Sequence, residues 1–449
     1  MRKDTHDDSV LAQHSRRDFL KTAATSVVAT SLPAWFLEEC RAQPATESPR
    51  SANDRPGIAL VGCGGMGRGD LKNASRFGQV VALCDVDERR LGEAAKDWPD
   101  AATERDFRKV MELAGVDVVI CGTVDHWHTL VSLAAMRAGN DVYCEKPLTL
   151  TIDEGKRLVA ARRESGRVLQ TGSQQRSDRN FRLACELVRN GRIGKLKELD
   201  VWLPAGRREG PFQTAEVPSG FDWDLWQGPT PAVEYVPERT HSTFRYWWDY
   251  SGGTMTDWGA HHNDIALWGS GHDRSGPIEV FGRTPVEMIP GGFTASSEYE
   301  VEYRYADGLV HRCRSTTASA WYGAAVDPNG QQHGLRFTGS DGWIWVTRGK
   351  LEASDPELLA EPLAADATRL SVSDDHMGNF CECVRSRKAP ICDAEIGHRS
   401  ASVCHLGVIA MRLGRKLKWD PAREQFVGDA DANGWLAREM REPWTYEAV

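Results

Sequence analysis

The chain has no strongly apolar run of the length that crosses a bilayer, no internal repeat and no low-complexity segment. Its one extended mildly apolar stretch, Thr22 to Leu37, is too short and too rich in Ala, Thr and Ser for a stable span. No basic run is longer than a pair such as Arg16-Arg17 and the formal net charge is −9, which argues against nucleic acid as a partner. Cys381 and Cys383 have no second pair at zinc-ribbon spacing, so no metal is expected there. What is present is the composition of a soluble globular protein, 41% hydrophobic and 27% charged over 449 residues. That length is too great for one ordinary core, so two domains with appendages are expected.

Near the N-terminus, Ser15-Arg16-Arg17-Asp18-Phe19-Leu20-Lys21 resembles the twin-arginine export signal in full. Cys40-Arg41-Ala42 supplies a small-residue cleavage site, and Glu39 is wrong for a lipoprotein box. Residues 1–42 therefore read as a signal peptide outside the fold, and 43–55 as a polar linker. The mature protein is then periplasmic or otherwise exported, with no membrane contact after signal removal. A disordered cytoplasmic leader is the alternative. The leader carries six Lys/Arg and six Asp/Glu, so its loss leaves the charge at −9. Export usually goes with disulfides. Here Cys63, Cys84, Cys121 and Cys144 sit in or beside apolar runs. The resemblance implies folding in a reducing compartment before export, so buried free thiols are expected.

The strongest pattern begins at Ile58-Ala59-Leu60-Val61, an apolar run suited to a buried parallel strand. It enters Gly62-Cys63-Gly64-Gly65-Met66-Gly67, a G-x-G-x-x-G loop. A helix-compatible segment follows, Arg68 to Phe77, and then a second apolar run that Asp85 closes. Gly62 permits the tight turn, Gly64 admits a pyrophosphate against bare backbone, and Gly67 lets the helix pack close to the strand. Asp85 lies where a carboxylate can bond both ribose hydroxyls of an adenosine. It favours NAD, while Arg89 and Arg90 leave NADP open.

Strand and helix signals alternate to about residue 172, through strands at 116–121, 142–144 and 168–172 and helices at 130–137 and 152–165. They make residues 56–172 a Rossmann domain with a doubly wound parallel sheet. Residues 173–449 read as an α+β domain with a large, open, mostly antiparallel sheet. Glu298-Tyr299-Glu300-Val301-Glu302-Tyr303-Arg304-Tyr305 is its clearest alternating strand. Helices are expected over 181–189, 376–385 and 399–412. Residues 206–250 read as a long ordered excursion, and 420–449 as an arm packing across the body or onto a neighbour.

Two further motifs lie toward the carboxyl edge of the parallel sheet, where such folds bind ligands. These are Thr123-Val124-Asp125-His126-Trp127-His128 and Glu145-Lys146-Pro147. Together with the glycine loop and Gly252-Gly253-Thr254-Met255-Thr256-Asp257-Trp258-Gly259-Ala260-His261, they make the chain resemble the Gfo/Idh/MocA family of nicotinamide-dependent sugar oxidoreductases. Val124 stands where that family usually has proline.

The resemblance implies that Lys146 is the acid/base group at a substrate hydroxyl, with Asp257 and His261 completing the catalytic set. It also implies a carbohydrate or polyol substrate, and a homodimer or homotetramer formed through the open sheet. Elementary chemistry agrees. Oxidising a secondary alcohol removes a proton from oxygen while hydride leaves carbon, and a positively charged nicotinamide lowers the pKa of an adjacent lysine. Asp257 and His261, four apart on a helix, can address one oxygen. They also fit a metal pair, but no third ligand stands at convincing spacing.

The expected cofactor contacts are Gly62, Gly64, Gly65, Met66, Gly67, Asp85, Thr123, His126, Trp127, Glu145, Lys146 and Gln174, with Gln175 an alternative to Gln174. Expected substrate contacts are Arg176, His262 and Trp258. Each has a bland counterpart: an interdomain salt bridge for Arg176, a polar cap for His262, core packing for Trp258. Two other functions stay open. One is glycoside hydrolysis by transient oxidation and elimination on bound NAD. The other is non-catalytic sugar binding with a vestigial cofactor site.

Overall fold

The computed structural model describes residues 32–41, 55–315 and 333–449. Six strands form the first sheet: β1 (Gly57–Val61), β2 (Gln79–Cys84), β3 (Ala102–Glu104), β4 (Val118–Cys121), β5 (Asp141–Cys144) and β6 (Leu169–Thr171). Their order is β3-β2-β1-β4-β5-β6 and every pairing is parallel. Strands β1, β4 and β5 are buried along their whole length, which explains runs of Val, Ile, Leu and Ala without alternation. The connecting helices carry their own start and stop signals. Ile152–Ser165 begins in a Thr151/Glu154 capping box and ends at Gly166, left-handed at φ 65°.

The second sheet contains β7 (Leu196–Leu203), β8 (Glu279–Arg283), β9 (Glu300–Arg304), β10 (Val310–Ser315), β11 (Gly334–Gly339), β12 (Trp343–Thr347), β13 (Lys350–Ala353), β14 (Leu417–Asp420) and β15 (Gln425–Phe426). The order is β13-β12-β11-β7-β10-β9-β8-β14-β15, with only β7 and β10 parallel. Val301 and Tyr303 of β9 point into the core, while Glu300, Glu302 and Arg304 alternate outward. Helices Arg179–Arg189, Gly259–Ser270 and Ala394–Leu413 share the core on the covered face. The outward face is crossed by ion pairs, among them Arg312 with Glu198 at 3.3 Å and with Glu302 at 3.2 Å. All eleven cysteines are buried free thiols.

Two sequence expectations change and one, the arm, narrows to its first alternative. The break at 172/173 is not a clean domain border: helix His376–Ser386 returns to pack Met377, Phe380 and Cys381 with Ile58, Leu60 and Tyr143 of the parallel sheet. The 420–449 arm packs on its own chain, Trp444 lying against Phe107 and Trp127. The third concerns the expected leader. Its twin-arginine motif and most of the 43–55 linker lie outside the described residues, but Leu32 to Arg41 do not lie outside the fold. Helix Ala34–Arg41 inserts Phe36 and Cys40 into the core of the larger sheet, both almost fully buried. Arg182 stacks over Phe36 at 4.6 Å, the Trp35 indole donates to Leu359 O at 3.1 Å, and Glu39 pairs with Arg369 at 3.1 Å. Cleavage at residue 42 would remove all of these contacts.

Candidate active site

At the carboxyl ends of β1, β2, β4 and β5 lies a cleft of about 390 Å³ bordered by Gly62, Gly64, Gly65, Met66, Asp85 and Lys146. The glycine loop has the geometry its sequence requires. Gly62 sits at φ 96°, and a Cβ there would fall 2.6 Å from the Gly122 carbonyl. A Cβ on Gly67 would lie 2.1 Å from Gly62 O, so helix and strand meet only because both positions are bare. At Gly65 an added Cβ would meet nothing within 4 Å, and at Gly64 only Arg90 Nη1. That leaves open backbone before a helix N-terminus, a cradle that fits a pyrophosphate. Asp85 is fixed by two backbone donors, Cys63 N at 2.7 Å and Asp87 N at 2.9 Å. Burial pushes its pKa up, and those donors with the nearby Arg90 oppose the rise.

Thr123 and Trp127 line the same cleft, as does Glu145. His128, not singled out in the sequence, ties this turn to the lysine turn. Its Nδ1 faces Pro147 O at 2.8 Å and its Nε2 faces Thr123 O at 3.3 Å. Two carbonyls can both be satisfied only by an imidazolium. Burial opposes that charge, but Cys121 and Asp125 outweigh it and raise the pKa of His128. Cys121, His128 and Cys144 bring ligand atoms within 4.8 Å of one another. With both ring nitrogens committed to carbonyls, His128 does not fit a metal ligand. Behind Lys146, burial raises the pKa of Glu145, and Asp70 is pushed up to about 9 by burial and by Glu145.

The structure brings Lys146 and Asp257 together from positions 111 residues apart: Lys146 Nζ donates to Asp257 Oδ1 at 2.5 Å. Arg245 Nε lies 3.1 Å from the same oxygen. Burial would raise the Asp257 pKa, but Lys146 and Arg245 overcome it and hold the carboxylate below its ordinary value. His261 follows one turn later. Burial, reinforced by the Lys146 charge, pushes its pKa well below the usual imidazole value, and its Nδ1 has no partner among the described residues. It is a neutral imidazole with a free nitrogen. Together these groups put two cations, Lys146 and Arg245, in the lining of the dinucleotide cleft, with a carboxylate and a neutral base held next to them beyond that lining. Arg245 was missed because it lies in the 206–250 excursion, where no motif marked it. The pair R-x-x-x-x-x-x-G-G ahead of Asp257 would have been the only signal.

Three expected contacts, Arg176, His262 and His126, are corrected, and two more, Trp258 and Gln174, stand outside the cleft lining. Arg176 is buried and bonded through two nitrogens to Asp264, at 2.7 and 2.8 Å, so it braces the fold. His262 is fully buried and turned toward His333 Nδ1 at 3.0 Å. Trp258 stacks on the His333 ring, centroids 4.6 Å apart, with Arg348 over it. His126 faces Trp226 O at 2.9 Å and borders a different cavity. Gln174 begins a short 3-10 turn outside the cleft lining.

Comparison with known proteins agrees with this geometry. Residues 57–173 match the model of an oxidoreductase family's NAD-binding Rossmann fold, and residues 201–446 that of an oxidoreductase family's C-terminal alpha/beta domain. Over 142 residues the chain is 34% identical to inositol 2-dehydrogenase 2 of Saccharopolyspora erythraea, covering 31% of this chain and 42% of that protein. Over 140 residues it is 31% identical to myo-inositol 2-dehydrogenase of Thermotoga maritima, covering 31% and 42%. The matches thus span less than half the length of these curated relatives. The WlbA dehydrogenase of Bordetella pertussis, solved with NADH and UDP-GlcNAcA, superposes with a TM-score of 0.61 at 18% identity. That match covers 82% of this chain and 99% of the other, a likeness of fold.

Proposed function

Because the chain belongs to the Gfo/Idh/MocA oxidoreductase family, we propose that it oxidises or reduces a secondary alcohol of a sugar, sugar derivative or cyclitol with NAD. The observation that carries this is the meeting of Lys146 and Asp257 beside the glycine-loop cleft. Gly62 to Gly67, Asp85, Thr123, Trp127 and Glu145 would hold the dinucleotide, whose nicotinamide supplies the hydride acceptor. Beside the positively charged oxidised nicotinamide Lys146 would act as its neutral amine, taking the hydroxyl proton and then pairing, as an ammonium, with the ionised Asp257. His261, neutral, orients the same hydroxyl through its free nitrogen. Asp85 supports NAD over NADP by repelling a 2′-phosphate.

Export and tight cofactor retention belong to the same reading. They rest on the twin-arginine motif and on the scarcity of free NAD outside the cytoplasm. A homodimer or homotetramer through the charged outer face of the larger sheet completes it. The test is to purify the protein and add candidate polyols while following absorbance of the reduced nicotinamide through gel filtration. Turnover with co-eluting nucleotide is expected. A flat response across sugars and cyclitols would sink the reading, and loss of the nucleotide would sink retention alone.

A further inference from the structure

A second cavity, of about 320 Å³, lies on the far side of the Asp125–Trp127 turn from the cofactor cleft. Asp125 and Trp127 face the cleft, whereas His126 between them borders the second cavity. Its walls come from three distant segments: Leu150 and Glu154, then Pro229 to Pro231 with Trp248, and last Gly434 to Met440.

Three polar groups line this cavity, and one of them, His126, lacks a partner that burial demands. Arg438 donates Nη1 to the carbonyls of Trp248, at 2.5 Å, and Asp249, at 3.2 Å. Yet no carboxylate lies within ion-pairing distance of it among the described residues. Burial drives its pKa down to about 10. Glu154 keeps Oε2 on the Leu150 and Thr151 amides, at 2.8 and 3.1 Å, and burial lifts its pKa to about 7. His126, about 1% exposed, turns Nε2 to Trp226 and leaves Nδ1 buried without a partner among the described residues. A half-buried guanidinium whose hydrogen bonds go to carbonyls alone can still donate a charge-assisted bond to an anion. The unpartnered His126 nitrogen calls for a hydroxyl, and the Glu154 carboxyl across the cavity can take another, since hydroxyls donate and accept as either needs.

We propose that this cavity is a second ligand site, distinct from the cofactor cleft, for a small hydroxycarboxylate whose carboxylate meets Arg438 and whose hydroxyls meet Glu154 and His126. Its volume suits a monosaccharide-sized acid, and Pro229, Pro231 and Met440 supply apolar wall. The proposal does not depend on which alcohol the cleft oxidises.

The test is calorimetric titration of the NADH-loaded full chain with D-gluconate, D-glucose and acetate. Gluconate is expected to bind, with glucose and acetate each weaker by about tenfold or more, the loss of one charge-assisted or several neutral contacts. Arg438→Gln should lose about tenfold or more of the gluconate affinity. Because Arg438 stacks on Trp248 at 3.6 Å, Ala437→Phe is the companion variant: Ala437 is an exposed wall residue, so a larger side chain there should crowd the cavity rather than the core. It should abolish binding with an unchanged melting temperature. Lys146→Ala should retain binding, which separates this site from the active site. No heat with wild type, glucose binding as tightly as gluconate, or unchanged affinity in both cavity variants would each overturn the proposal.

Discussion

At the scale of single residues, the site turns on one carboxylate oxygen shared by two cations, Lys146 Nζ and Arg245 Nε. Removing the amine should stop proton transfer without disturbing the dinucleotide cradle. Lys146→Ala is therefore expected to lower kcat by about 10²- to 10⁴-fold while NADH, read by fluorescence, stays bound. Full activity would remove Lys146 from its role. Arg245→Gln tests the second cation. Asp257 is held ionised by both, so losing one lets it protonate at higher pH, and the acid limb of the kcat/KM profile should move upward. An unshifted limb would make Arg245 a bystander. Lys146, Asp257 and His261 were readable because they stand in short motifs. Arg245 and His128 were not, since their importance lies in contacts with Asp257 and Pro147, in other motifs of the chain. Arg176 and His262 misled for the opposite reason: polar residues next to a motif, they turn to buried partners, Asp264 and His333.

At the scale of elements, the glycine loop was legible almost atom by atom because three steric demands fall within six residues. Gly67→Ala places a methyl 2.1 Å from a carbonyl oxygen. It should lower both the melting temperature and NADH affinity, and a variant matching wild type in both would mean the helix can shift outward at little cost. Helix Ala34–Arg41 was read as part of a leader because mild hydrophobicity followed by a small-residue site is what a leader and a short amphipathic helix have in common. Its Phe36 is wholly buried, so Phe36→Ala should cost about 3–5 kcal/mol. A chain starting at residue 43 should melt several degrees below one starting at residue 32, by differential scanning calorimetry. Equal melting temperatures would show that the groove closes without the helix.

At the scale of the molecule, burial leaves many imidazoles uncharged. His126 and His311 are pushed down to about 3, His376 and His405 to about 4, and His261 and His262 well below the ordinary value, in each case chiefly by desolvation. In the unfolded chain each would titrate near pH 6.5. Below that pH the unfolded state binds more protons than the native one, so stability falls as pH drops from about 6.5 toward 4. His128, raised, opposes this as a single group. A melting temperature flat between pH 7 and 5 would contradict the buried neutral set. The two-sheet plan was legible because buried parallel strands and half-covered antiparallel ones leave different apolar periods. The return of helix His376–Ser386 was not, since nothing in an amphipathic helix names the sheet it will meet.

That returning helix has a practical corollary. Phe380 closes over Ile58, Leu60 and Tyr143, and Trp444 seals Trp127 from the other side. The nucleotide-binding half is thus finished by sequence two hundred and more positions downstream. It cannot be excised, grafted onto another catalyst or exchanged by recombination at the linear boundary without carrying an open hydrophobic wound. Any chimera that keeps it soluble must inherit both ends of the chain.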